Sequence, residues 1–149
     1  MSKTLSLLIF ASLIAACSPP PTAADTSTQE ERQELMEGVG KAAKPLGAML
    51  KGEQEYDLAT ASASLTTFQD AAGKFAALFP AGTETGAETE AAPAIWEDRA
   101  GFEAALQDWS DATAAALSAA PADLDSAKPV LGAVFKTCKG CHDTYRIDN

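Results

Sequence analysis

Large apolar residues in this chain recur every three or four positions, in four separate blocks. In the first, Leu35, Met36, Val39, Ala42, Ala43 and Leu46 follow Thr28-Gln29-Glu30-Glu31. That tetrapeptide reads as a capping box, in which Thr and the Glu three positions on close each other's free amides. The spacing predicts a helix from about residue 28 to Gly52, with Pro45 placed to kink it. The second block starts at Asp57 and steps through Leu58, Ala61, Leu65, Phe68, Ala72, Phe75 and Phe79 until Pro80 stops it. A third helix is predicted from about Asp98 to Ala120, its stripe of Phe102, Leu106, Trp109, Thr113 and Leu117 ending before Pro121. Asp123 or Asp125 can cap the fourth, in which Pro129 is tolerated only near the start. There Leu131, Phe135, Cys138 and His142 share one face. No segment alternates with period two, and no β-branched run appears. Four amphipathic helices rich in Ala, which favours helix, predict an all-α fold, an antiparallel four-helix bundle. The polar connection over residues 80–93, 14 residues long, marks either a crossover or a loop at a site.

The first residues read as processing signal. Lys3 supplies a positive start, and Leu5 to Ala16 is an apolar run of 12. A membrane-spanning helix needs about 20, so this run predicts export. Leu13-Ile14-Ala15-Ala16 leading into Cys17 resembles a bacterial lipoprotein cleavage box, with Cys17 as the acylated first residue of the mature chain. The plainer reading is an ordinary secretory signal with a leftover cysteine. Ser18 after the cysteine resembles the outer-membrane sorting class. Residues 1–16 are then signal, 17–27 a Pro/Ser/Thr-rich tether, and 28–149 the bundle. Localisation follows as the periplasm, with the membrane touched only through a lipid anchor.

Charge narrows the partners. The chain has 11 basic and 21 acidic side chains, a net charge of −10. Nucleic acid binding requires a basic footprint and is excluded on this count. The negative field favours positively charged electron-transfer or assembly partners.

The chemistry sits in the fourth helix, at Cys138-Lys139-Gly140-Cys141-His142. C-x-x-C-H is the attachment signature of a c-type haem: two thiols add to the porphyrin vinyl groups, and the next residue offers an imidazole to the iron. On a helix Cys138, Cys141 and His142 lie at i, i+3 and i+4, on one stripe. A thioredoxin-like dithiol wants a βαβ context, and a zinc site wants four ligands. Three Cys and one His in the whole chain do not supply a Cys/His site of that kind once Cys17 is set aside for lipid. The expectation is one covalent haem c in the bundle core. Because His142 is the only histidine, any sixth iron ligand is something else. A peroxidase-like enzyme would want a distal acid–base group, which no second histidine supplies, so an enzymatic role is not expected.

Beyond the motif, the chain from about residue 28 to 147 resembles the cytochromes c-prime, the class II c-type cytochromes, a standard four-helix bundle family. The resemblance rests on Arg32-x-x-x-Met36, Lys51-Gly52 with Tyr56-Asp57, Phe79-Pro80-Ala81-Gly82-Thr83, Ile95-Trp96 with Phe102, and Cys138 through Arg146. It implies His142 as the proximal ligand, Arg146 one turn on beside the proximal face, and Arg32 paired with a haem propionate. It places Met36 on the distal side and makes Phe79 and Trp96 walls of the porphyrin. The bland alternatives are a solvated Arg32, Phe79 and Trp96 as core aromatics, and Met36 as packing. The resemblance implies a five-coordinate haem that binds NO and CO, with an unknown redox partner and a homodimer formed through the first two helices, where Gly38, Gly40 and Gly47 permit close approach. In low-spin relatives of the same fold a first-helix methionine completes a His/Met pair suited to electron transfer. That is the second reading.

Overall fold

The computed structural model describes residues 26–85 and 89–147. The signal, Cys17 and the tether up to residue 25 lie outside the described residues. Within them the chain forms helices α1 (Ser27–Lys51), α2 (Leu58–Phe75), α3 (Ala94–Glu97), α4 (Arg99–Ala119) and α5 (Leu124–Tyr145), with a 3₁₀ turn at Ala76–Leu78 after α2. Four are long and run antiparallel; α3 is one turn, which the periodicity did not separate from the connection before it.

Local chemistry explains most boundaries. The expected box at Thr28 does not form, because the helix starts earlier and Thr28 lies inside α1. Thr26 takes the N-cap position without a side-chain bond to the backbone; its hydroxyl donates instead to Glu30 Oε1 at 3.1 Å. At the other end Gly52 adopts φ 73°, which glycine reaches without a Cβ clash. The Gly52 N–H bonds Met49 O at 3.0 Å and the Glu53 N–H bonds Ala48 O at 2.9 Å, the paired closure of a Schellman motif. The helix continues through Pro45. Asp57 caps α2 by accepting from Ala59 N and Thr60 N at 3.0 and 3.3 Å. Of the two candidate caps for α5, Asp123 is used, in a reciprocal box with Ser126.

Helix α1 packs on α2, α2 on α4, and α4 on α5, whereas α1 and α5 touch little. Buried alanines, among them Ala61, Ala71, Ala116 and Ala127, let the packed pairs approach closely. Leu46, Leu65, Phe68, Phe102, Leu131 and Val134 are nearly inaccessible. At the end bearing the α1–α2 and α4–α5 connections, the Tyr56 hydroxyl donates to Pro121 O at 2.8 Å and ties the two together.

The α4–α5 turn holds the one non-glycine residue with positive φ among the described residues, Ala120 at φ 38°. A β-carbon in that region costs about 1–2 kcal/mol, while Gly loses about 0.5–1 kcal/mol through unfolded-chain entropy. Ala120→Gly is expected to stabilise by about 0.5 kcal/mol or more, seen as a higher urea midpoint with unchanged slope. A lower midpoint would show that the turn is unstrained.

Candidate functional site

The loose α1–α5 seam opens a cavity of about 670 Å³, within the range of roughly 300–1,000 Å³ common for cofactor sites. Its helical geometry follows the motif. Cys138, Cys141 and His142 all line it from α5, beside Phe135. Facing them, α1 contributes Arg32, Met36, Val39 and Ala43, and the floor is Phe68, Phe75, Phe79, Phe102, Leu106 and Trp109 from the middle helices and the turn after α2. Burial pushes the Cys138 thiol up, and it pushes Cys141 up to about 11, with Cys138 nearby as a further cause. Both thiols are therefore protonated at neutral pH. A reactive dithiol, by contrast, has its thiolate favoured by a lowered pKa.

Arg32 is buried, 5 % exposed. Its Nη2 donates to Thr83 O at 2.8 Å and its Nε to Thr28 O at 3.3 Å. The guanidinium carbon lies 4.5 Å from the Phe79 ring centroid and 5.7 Å from that of Trp96. Nη1 has no hydrogen-bond partner. Burial lowers the Arg32 pKa and Glu84 opposes it, yet a guanidinium stays charged in proteins. An unspent charged donor thus stands at the wall of a mostly apolar slot, where it could meet a carboxylate of a bound ring. The donor set as a whole fits a covalently held haem: two thiols and an imidazole on one stripe, aromatic walls, and one cation in reserve.

Seven of the eight residues expected around the cofactor line this cavity; Trp96 does not. It stands behind Phe79 with ring centroids 5.7 Å apart, its indole N–H donating to Pro80 O at 3.2 Å, so it supports the wall instead of being one. Arg146 differs in another way. It is the residue after α5, with extended φ −119° and ψ 141°, and does not continue the helical stripe one turn beyond His142.

Several supporting residues were not anticipated. The Arg99 Nη1 and Nη2 donate to Phe79 O and Ala76 O at 2.9 and 2.8 Å. They tie the start of α4 to the 3₁₀ turn after α2 and to Phe79, which lines the slot. Gln29 Nε2 reaches Thr83 O and Thr85 O at 3.3 and 3.2 Å, so α1 holds the start of the long connection. Tyr145 donates to Asp98 Oδ2 at 3.3 Å while Asp98 Oδ1 caps α4 through Gly101 N at 3.1 Å. A β-carbon at Gly101 would lie 2.6 Å from the Tyr145 hydroxyl, so this joint needs glycine. The 14-residue length of the connection and the Phe79-to-Thr83 segment of the family resemblance were the sequence signals that a site lay there.

Fold and site together define a single-haem c-type cytochrome built on a four-helix bundle. Residues 27–146 match the family model described as Cytochrome C'. A cytochrome c' of Rhodopseudomonas palustris is 40 % identical over 123 residues, covering 83 % of this chain and 84 % of that protein. A solved structure of cytochrome c' from that species superposes with a TM-score of 0.80 at 38 % identity, over 84 % of this chain and 99 % of the other. A cytochrome c-556 of Agrobacterium tumefaciens is 40 % identical over 118 residues, 79 % of this chain and 95 % of that protein. The nitric oxide complex of a point variant of cytochrome c prime from Alcaligenes xylosoxidans matches with a TM-score of 0.71 at 31 % identity, over 81 % of this chain and 94 % of the other. The chain belongs to the cytochrome c' family, whose members carry one covalently attached haem c.

Proposed function

We propose that this protein binds NO and CO at a haem whose sixth position is left free, buffering or removing NO and carrying electrons, as a binding module and not an enzyme. The haem, when bound, supplies the iron on which a diatomic gas or an electron resides. The chain supplies the rest. Cys138 and Cys141 hold the ring edge to α5, and His142 is the proximal ligand. Arg32 would offer Nη1 to a propionate as a charge-assisted contact, and Phe79 would wall the ring. The observation that carries the reading is the apolar stretch Met36, Val39 and Ala43 on the α1 side of the cavity; Gln33 and Glu37 also line that side, Glu37 with an exposed carboxylate paired to Lys41 at 2.8 Å. None of Met36, Val39 and Ala43 is an acid–base group or a hydrogen-bond donor. Such a wall suits CO and NO, which need no distal hydrogen bond, and polarity and steric access of the distal pocket decide which ligands bind. The relative solved with nitric oxide bound supports the same ligand class.

Met36 also favours one second reading. Its thioether lies on the cavity wall and could complete a His/Met pair, giving a low-spin electron carrier in the same bundle.

Placement in the periplasm through a lipid on Cys17, with the outer membrane favoured, remains part of this proposal. No helix among the described residues is long and apolar enough to cross a membrane. A homodimer through α1 and α2 is supported by Gly38 and Gly47, whose β-carbons would meet nothing within 4 Å in this chain. No redox partner is identified; its expected chemistry is a basic surface.

The absorption spectrum separates the two iron states. With Met36 only a lid, both oxidation states are mainly high-spin, no sulfur-to-iron band appears at the red edge of the ferric spectrum, and Met36→Ala speeds CO and NO capture. A low-spin resting spectrum that becomes high-spin in Met36→Ala would establish the electron carrier instead. For the anchor, cell fractionation is expected to find wild type in the membrane and Cys17→Ser soluble; wild type soluble in the periplasm would refute it.

A further inference from the structure

The long connection between α2 and α3 ends in a strap fastened to the haem-binding helix. Ala91 and Arg146 form an isolated antiparallel bridge. Ala92 N donates to Tyr145 O at 3.0 Å, and Ile147 N donates to Glu90 O at 2.8 Å. Across the same joint Glu90 Oε2 lies 2.7 Å from Arg146 Nε. Glu90, Ala91 and Arg146 all line the cavity beside His142.

The side chains of this ion pair are 54 % and 41 % exposed. Pairs so exposed contribute little to stability. What the pair fixes is direction. Once the backbone turns extended at Arg146, the helix no longer aims its side chain, and a long cationic side chain at a surface has many rotamers. The bridge holds only its backbone.

We infer that Glu90 is a positioning residue, holding the Arg146 guanidinium at the rim of the haem cavity on the His142 side. This rests on the proposed haem site and on the place beside the proximal face that the family resemblance implies for Arg146. A cation held there favours the reduced, less positive haem, and its effect on the haem depends on how closely Glu90 keeps it.

The test is the midpoint potential of the haem-loaded protein in four forms: wild type, Arg146→Gln, Glu90→Gln and the double variant. Arg146→Gln is expected to lower the potential in the wild-type background. In the Glu90→Gln background the same substitution is expected to shift it by less than half as much, because the guanidinium is then held less closely at the rim. Glu90→Asp, which keeps the charge, is expected to restore most of the shift, and thermal midpoints change little throughout. An equal shift in both backgrounds would overturn the role of Glu90 while leaving Arg146 in place. No shift from Arg146→Gln in the wild-type background would remove Arg146 from the haem edge, and this inference with it.

Discussion

One helical stripe constrains everything else in this protein. Cys138, Cys141 and His142 leave α5 at i, i+3 and i+4, so a ring bonded to the thiols and facing the imidazole must stand against that helix and nowhere else. A bundle that packed α1 onto α5 as closely as α1 on α2 would have no space for it. The chain therefore closes three of its four seams with alanines and aromatics, and leaves the α1–α5 seam as a slot of about 670 Å³. Removing apolar contact from one seam gives up burial that a ring filling the slot would restore.

The two ends of the bundle are held by different chemistry. Away from the slot the joints are those of any helical protein: a Schellman motif at Gly52, a capping box at Asp123, and the Tyr56 hydroxyl on Pro121 O. Around the slot, polar side-chain bonds between distant segments are more numerous. Gln29 and Arg32 hold the connection at Thr83, Arg99 holds Phe79 and Ala76, and Tyr145 holds Asp98. A cavity wall has no partner of its own to press against, so each of these residues replaces packing with directed bonds. Phe79 shows the combination. It is 4 % exposed, its carbonyl is taken by Arg99, and its ring lies between Arg32 and edge contacts from Phe75, Trp96 and Phe102.

What could be read from the sequence divides along the same line. The helical stripes, the stop at Gly52 and the attachment motif are local patterns, and each appears in the structure close to where its spacing placed it. The aromatics of the stripes, Phe68, Phe75, Phe102 and Trp109, read as core and prove to be the floor of the slot, because periodicity marks a buried face without saying what covers it. The box at Thr28 was misread because the helix starts two residues earlier, with Thr26 at the N-cap, so Thr28 already lies within it. Trp96 took second place behind Phe79, Arg146 left the helix, and Arg99, Gln29 and Glu90 went unnoticed. All of these depend on contacts across 14 or more residues of chain, where no short-range pattern exists.

The central claim is that this slot is built for a ring joined to α5 through both thiols. Mass spectrometry of proteolytic peptides from the denatured, mature protein tests it most directly. The account predicts one haem per chain, carried on the peptide that contains Cys138 and Cys141, with neither thiol open to alkylation. A peptide with both thiols free to alkylate, or a haem that extracts into acidified acetone, would contradict it.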